Sequence, residues 1–257
     1  MNTIELYKLL PKKNCGECPQ KLCMPFAFDV MKGKTDISQC PLLSEQEVQG
    51  IRDSLVISDW REDLIAKLRD DIKKINYSET AKDIGGELNG DAMRLKYLGE
   101  EFSISSDGEI ITQGKVTPWA KILLLNYIKT GGKGDLSGKW VSFSELKNGM
   151  LKYTTFKSEC ENALNVMFSG SMDKAALVLT ELGAMRQDGF QAKYAWQIYL
   201  LPKIPILILY WKDEEDFPSQ TKILFDSTAE RFLDVESLIF LVEGLIENIE
   251  YGINDLK

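Results

Sequence analysis

With 257 residues, 44% of them hydrophobic and 27% charged, the chain can bury a sizeable core as one large domain or two. Its formal charge of -8, with no Lys/Arg stripe interleaved with aromatics, argues against binding a phosphate backbone, so no nucleic-acid partner is expected. It contains no histidine, which excludes Ser-His-Asp and Cys-His nucleophile systems, His-ligated zinc or non-haem iron, and haem on a proximal histidine. Any metal here must take Cys, carboxylate, carbonyl or water ligands.

The opening residues Met1-Asn2-Thr3-Ile4-Glu5 have neither a basic region nor a long apolar run, so no signal peptide is expected. The longest apolar stretches, Ile122 to Leu125 and Ile204 to Trp211, fall far short of the roughly 18 residues of a membrane helix. The expectation is a cytoplasmic protein without a membrane span. In that compartment clustered cysteines read as metal ligands or redox groups rather than as a disulfide framework. Residues 1–50 carry six Lys/Arg and six Asp/Glu, so the acidic excess lies wholly in the remainder.

In chain order, residues 3–10 form an amphipathic pattern stopped by Pro11. A cysteine-rich loop runs from Cys15 to Cys23, and Met24 to Lys32 reads as a second short helix ended by Gly33. Ser44-Glu45-Gln46-Glu47 is a capping-box pattern opening a linking helix. From Asp59 to Ile75, the spacing of Leu64, Ile65, Leu68 and Ile72 is helical. Beyond Gly85-Gly86 the texture changes. Met93, Leu95 and Tyr97, then Phe102 and Ile104, alternate around Gly99-Glu100 as in a hairpin. Thr117-Pro118 starts a helix that ends at Gly131-Gly132. Lys139 to Phe143 reads as a strand, Ser158 and Ser171 as the starts of two helices, and Tyr194–Leu200, Ile204–Trp211 and Thr221–Phe225 as three strands. A final helix covers Val235 to Tyr251. The fold class is therefore α+β: a small helical Cys-rich module over residues 1–45, then a mixed α+β domain with an antiparallel sheet over residues 46–257.

The cysteines follow Cys15-x2-Cys18-x4-Cys23-x16-Cys40, with Pro41 directly after the last. Three close thiolates on one loop can cap three irons of a [4Fe-4S] cube, while a remote fourth closes the cage. A four-cysteine zinc site usually pairs two Cys-x2-Cys knuckles, and only one is present here. Zinc and a disulfide set remain the competing readings. Leu6-Tyr7-Lys8-Leu9-Leu10-Pro11, Asn14-Cys15-Gly16-Glu17-Cys18, Cys23-Met24-Pro25-Phe26-Ala27 and Cys40-Pro41 resemble the iron–sulfur module found in large subunits of corrinoid iron–sulfur proteins of the acetyl-CoA synthase/decarbonylase system. They are similar also to the module in B subunits of ferredoxin-oxidising Rnf complexes. The resemblance covers about residues 3–42 and implies that Cys15, Cys18, Cys23 and Cys40 bind one [4Fe-4S] cluster. Pro19 departs from it, standing where glycine is usual. Residues 60–250, through Gly138 to Leu146, Pro205 to Pro218 and Leu224-Phe225-Asp226, resemble an uncharacterised domain family of anaerobic prokaryotes, which implies no activity.

Among other residues, Trp140, Phe143, Tyr199 and Trp211 are candidates to line a pocket for a flat cofactor such as a corrinoid, with plain core as the alternative. Cys160 lies in Ser158-Glu159-Cys160-Glu161, a further capping-box pattern. A helix start lowers a thiol pKa, whereas flanking glutamates raise it. The run Asp213-Glu214-Glu215-Asp216 is a solvated turn or an ion site. Gly131-Gly132-Lys133-Gly134 follows a helix instead of preceding one, so it is no phosphate loop. The reading that results is an iron–sulfur protein of anaerobic metabolism in one-electron transfer or redox activation. The alternatives are a corrinoid-binding or corrinoid-activating protein and a non-enzymatic module stapled by its cluster. Counting the cluster and its thiolates at about -2 or -3 makes residues 1–50 acidic too, which calls for a redox partner with a basic docking surface.

Overall fold

The computed structural model describes residues 3–31, 33–54, 60–112, 116–214 and 217–256. Lys32, Asp59, Glu215 and Asp216, on which parts of the sequence reading rest, lie outside them. The chain divides into two compact units, residues 1–63 and 64–257.

In the first unit, α1 (Thr3–Leu9) and α2 (Cys23–Met31) pack together. Leu6 and Leu10 meet Phe26, Ala27 and Val30 in one small core. A 3-10 turn at Ile37–Gln39 adds Ile37, and α3 (Glu45–Ser54) adds Val48 and Ile51. Ser44 starts α3 with the expected reciprocal pair: Glu47 accepts from the Ser44 N–H at 2.8 Å, and the Ser44 hydroxyl accepts from the Glu47 N–H at 3.3 Å.

The second unit opens with α4 (Trp60–Ile72) and α5 (Tyr77–Ile84). An antiparallel sheet follows, β1 (Glu87–Asn89), β2 (Ala92–Tyr97), β3 (Glu100–Ser105) and β4 (Ile110–Ile111), in that order. Met93, Leu95 and Tyr97 on β2 and Phe102 and Ile104 on β3 face the core, as their alternation demands. Helix α6 (Pro118–Thr130) begins where Thr117 accepts from the Ala120 N–H at 3.1 Å and ends at left-handed Gly131.

A second antiparallel sheet has the order β5-β9-β8-β7-β6, with β5 (Trp140–Ser142), β6 (Met185–Arg186), β7 (Tyr194–Leu201), β8 (Ile204–Trp211) and β9 (Gln220–Asp226). Strand β8 is central and apolar throughout. Its two faces serve different clusters: Ile206, Ile208 and Tyr210 join the main core, while Leu207 and Leu209 join Ala195, Trp140, Trp211 and Leu224. Helix α9 (Val235–Asp255), capped by Asp234, lays Leu238, Leu241, Val242, Leu245 and Ile249 into the main core.

The helix start expected at Ser158 is corrected. Helix α7 (Gly149–Phe156) runs into a π-helical stretch, Lys157–Asn162, and on into α8 (Ala163–Glu181). Ser158 therefore starts no helix, whereas Ser171, with non-helical backbone, marks a kink at which a second helix begins within α8, as expected. Glu161 does not cap. It is buried and accepts from Lys222 Nζ at 3.0 Å and from the Ile223 N–H at 3.3 Å. Strand β5 pairs with β9 only at residues 224–226, so the carboxylate takes a backbone donor just where that neighbouring strand has ended.

Candidate metal centre

The loop between α1 and α2 is built from left-handed backbone. Lys12, Asn14, Gly16 and Lys21 have φ of 58°, 45°, 80° and 59°. For three non-glycine residues this is a costly conformation that surrounding structure must enforce. Part of the enforcement is visible. Asn14 Oδ1 accepts from the Cys23 N–H at 2.9 Å, tying the loop to the first residue of α2, and the Lys21 N–H donates to the Cys18 carbonyl at 2.9 Å. Asn14 tolerates this conformation better than most residues and satisfies a donor that the start of α2 leaves open.

Cys40 comes from a later segment, beyond α2. It follows the 3-10 turn, its N–H donating to the Ile37 carbonyl at 3.2 Å. Asp36 caps that turn through the Ser38 N–H and also pairs with Arg52 of α3. Cys18, Cys23 and Cys40 are 9%, 8% and 8% exposed, whereas Cys15 is open to solvent. All four are free thiols. Burial pushes the Cys40 thiol up; the Leu42 N–H pulls it down, and the charges of Cys23, Cys15 and Cys18 raise it again. Cys40 therefore senses each of the other three.

This donor set can be tested against the groups it could hold. A mononuclear zinc ion needs its four sulfurs about 2.3 Å from one point. Among the described residues no three Cys, Asp or Glu side chains converge on such a point. A four-iron cluster takes each thiolate on a different iron, so its ligands stand around a larger body. The four free thiols, three of them shielded from water, are a donor set whose chemistry suits an iron–sulfur cluster.

The four aromatics expected to line one pocket are not brought together. Trp140 and Trp211 share the smaller apolar cluster on one face of the five-stranded sheet. Phe143 is buried in the main core, stacked on Phe156 at 4.1 Å. Tyr199 projects from β7, 41% exposed, at the edge of a separate cavity of about 410 Å³ that Arg94, Lys96 and Pro202 also line. Period-two alternation explains the separation of Tyr199 from Trp196, its neighbour three residues back, which packs on Phe168 in the core. Cys160 is fully buried in the π-helical stretch, 3.9 Å from the Ile239 carbonyl. Burial, then the charges of Glu243, Glu159 and Glu161, raise its thiol pKa well above the usual value, so the lowering that a helix start would bring does not occur. Of the acidic run, Asp213 and Glu214 lie beside Trp211 and Phe217 at a cavity of about 690 Å³.

The sequence reading missed Asn14 as a loop anchor, although Asn14-Cys15-Gly16-Glu17-Cys18 stood in its motif. It missed too the Glu161, Lys222 and Tyr153 group, in which Lys222 Nζ donates to the Tyr153 hydroxyl at 2.7 Å.

Residues 10–42 match a family described as "Putative Fe-S cluster", and residues 76–248 match one described as "Domain of unknown function (DUF3786)". The corrinoid/iron-sulfur protein large subunit of Moorella thermoacetica is 48% identical over 42 residues, 16% of this chain and 9% of that protein. The gamma subunit of the acetyl-CoA decarbonylase/synthase complex of Methanocaldococcus jannaschii is 41% identical over 44 residues, 17% of this chain and 9% of that one. The B subunit of the ion-translocating oxidoreductase complex of Azoarcus sp. is 38% identical over 47 residues, 18% of this chain and 26% of that protein. The match thus spans about a tenth of the first two proteins and a quarter of the third. No solved structure matches. Among the described residues no helix is long and apolar enough to cross a membrane. The N-terminal unit carries an iron–sulfur domain.

Proposed function

The chain belongs to the DUF3786 family, matched over residues 76–248, and on that premise we propose that it is an iron–sulfur protein of one-electron transfer or redox activation in anaerobic metabolism. Cys15, Cys18, Cys23 and Cys40 hold one [4Fe-4S] cluster. When bound, such a cluster supplies a one-electron couple between core charges of +2 and +1. The chain's part is to hold four thiolates without competing carboxylates and to keep water from three of them. The observation that carries this reading is the arrangement of those thiols, three buried and one exposed, around a loop fixed by Asn14.

The ligand-bearing module ends near residue 45, and α3 is a helical extension packed on it through Val48 and Ile51. The protein works in the cytoplasm with a partner protein. That reading draws on relatives named as subunits of complexes. Anaerobic purification is expected to give a brown protein with about four irons per chain and a visible band bleached by dithionite. A colourless protein with one zinc per chain sinks the reading.

A corrinoid-binding or corrinoid-activating role is supported only by the name of one relative. Its test is cobalt retained after incubation with cobalamin and gel filtration. A purely structural cluster is the remaining alternative, in which redox cycling leaves partner affinity unchanged.

A further inference from the structure

The net charge of -8 calls for a basic partner, but the charges beside the exposed ligand have the opposite sign. Lys12, Lys13 and Lys21 are all exposed on the Cys15–Cys23 loop and its approach, and Glu17 is the one acidic residue between Pro11 and Phe28. Lys12 and Lys21 are held in left-handed backbone. Lys12 lies 5.9 Å over the Tyr7 ring. Lys13 and Lys21 have no ion-pair partner among the described residues. Exposed apolar side chains neighbour the buried ligands along the chain: Leu22 and Met24 flank Cys23, to which Asn14 ties the loop after Lys13, and Leu42 comes two residues after Cys40. Exposed apolar groups inside a charged rim are the anatomy of a protein interface.

We propose that this face docks an acidic electron-carrier protein, whose carboxylates pair with Lys12, Lys13 and Lys21 over an apolar centre of Leu22, Met24 and Leu42. The inference rests on the iron–sulfur reading above and adds the partner's surface chemistry to it. A bound cluster's negative charge would partly cancel the lysines at long range. The lysines therefore act at contact, within a Debye length of about 8 Å at physiological salt, where complementary charge sets register and excludes wrong partners.

The test uses the full holo chain under anaerobic conditions, with iron content and the paramagnetic signal of the reduced cluster recorded for each variant. Binding is measured against an acidic flavodoxin and a basic cytochrome c as probes, at low and at 0.3 M salt. Carbodiimide cross-linking then maps which lysines meet probe carboxylates. Flavodoxin is expected to bind and to cross-link through Lys13 or Lys21. Its affinity is expected to fall at least tenfold in the Lys13→Glu/Lys21→Glu double variant with full iron content, and Lys96→Glu in the second unit is expected to leave it unchanged. If charge reversal lowers iron content, Lys13→Gln/Lys21→Gln replaces it, with a roughly threefold loss expected. Tighter binding of cytochrome c overturns the proposal, as does unchanged flavodoxin affinity in an iron-replete variant, and both outcomes leave the cluster reading standing. A wild-type chain that takes up no iron removes both.

Discussion

The two units solve the problem of staying folded in different ways. The second unit has a continuous apolar core that runs from Ile65 to Ile249 and is built from two sheets and several helices. The first has a handful of apolar side chains, and three of its buried residues are cysteines offered as ligands. A unit of about 60 residues buries too small a share of its surface to be secure alone, and small domains commonly make up the difference with a metal. The lesson is that burial of a thiol means different things in the two units. In the first, on the reading proposed above, it prepares a ligand whose proton would pass to solvent as the sulfur binds iron. In the second, at Cys160, it makes a small apolar filler.

The largest effect expected from this contrast follows removal of the cofactor. Chelation of iron, or Cys18→Ser, should abolish amide protection in α1 and α2 while protection in β7 to β9 and α9 stays, because the metal's binding energy is folding energy for the first unit alone. Equal loss in both units breaks the comparison. In the same sample Cys15 should be the first thiol to react with an alkylating reagent, and Cys160 should react only on denaturation.

Next in size is Phe143→Ala, which removes a ring stacked on Phe156 and touching Phe225. It should cost the second unit about 3–5 kcal/mol, read as a fall in Tm of roughly ten degrees, with iron content unchanged. Glu161→Ala is expected to cost less, about 1–3 kcal/mol, by orphaning the Ile223 N–H and the Lys222 ammonium. Glu161→Ala/Lys222→Met should recover part of that loss in chemical denaturation. If the double variant is no better than the single, the ion pair is not what the carboxylate is there for.

The smallest effect is one of pH. The Ser38 hydroxyl and N–H, and the Arg52 guanidinium, hold the Asp36 carboxyl down at about 2. A depressed folded value means that its contribution is present above the ordinary 3.8 and lost as pH falls through about 2. Because the pair is exposed, solvent screens it and the gain is slight. A carboxyl-carbon NMR titration should show Asp36 depressed in the wild type and closer to 3.8 in Arg52→Ala. An ordinary value in the wild type removes this link between the Cys40 turn and α3.

Much of the layout was legible because short-range chemistry dictates it. Thr117, Pro118 and Gly131 fix both ends of α6, and the alternation of Met93, Leu95 and Tyr97 fixes a face of β2. The iron–sulfur domain of the first unit was legible because the cysteine spacing of residues 15–40 is local chain pattern. The stretch from Lys157 to Asn162 was not. Ser158-Glu159-Cys160-Glu161 satisfies the local pattern of a cap, but Glu161 is claimed by the unpaired edge of β9, more than sixty residues on, and local pattern carries no record of a strand that ends early. The aromatics misled for a similar reason. Composition counts rings, whereas the sheet's pleat and the chain's return path decide which rings meet.

The π-helical stretch has a consequence of its own. One surplus residue in a turn advances everything after it by about 100° around the axis and 1.5 Å along it. From Gly149 to Gly170, ahead of the kink at Ser171, the rod thus behaves as a shaft with a phase offset: α7 presents Phe156 to Phe143, and α8 presents Phe168 to Trp196 and Tyr210. A regular helix of the same length would leave one of these two meshings out of step. Deleting one residue between Lys157 and Asn162 would leave regular helix with both faces still in step, whereas forcing the turn regular with the residue kept would strip the gear.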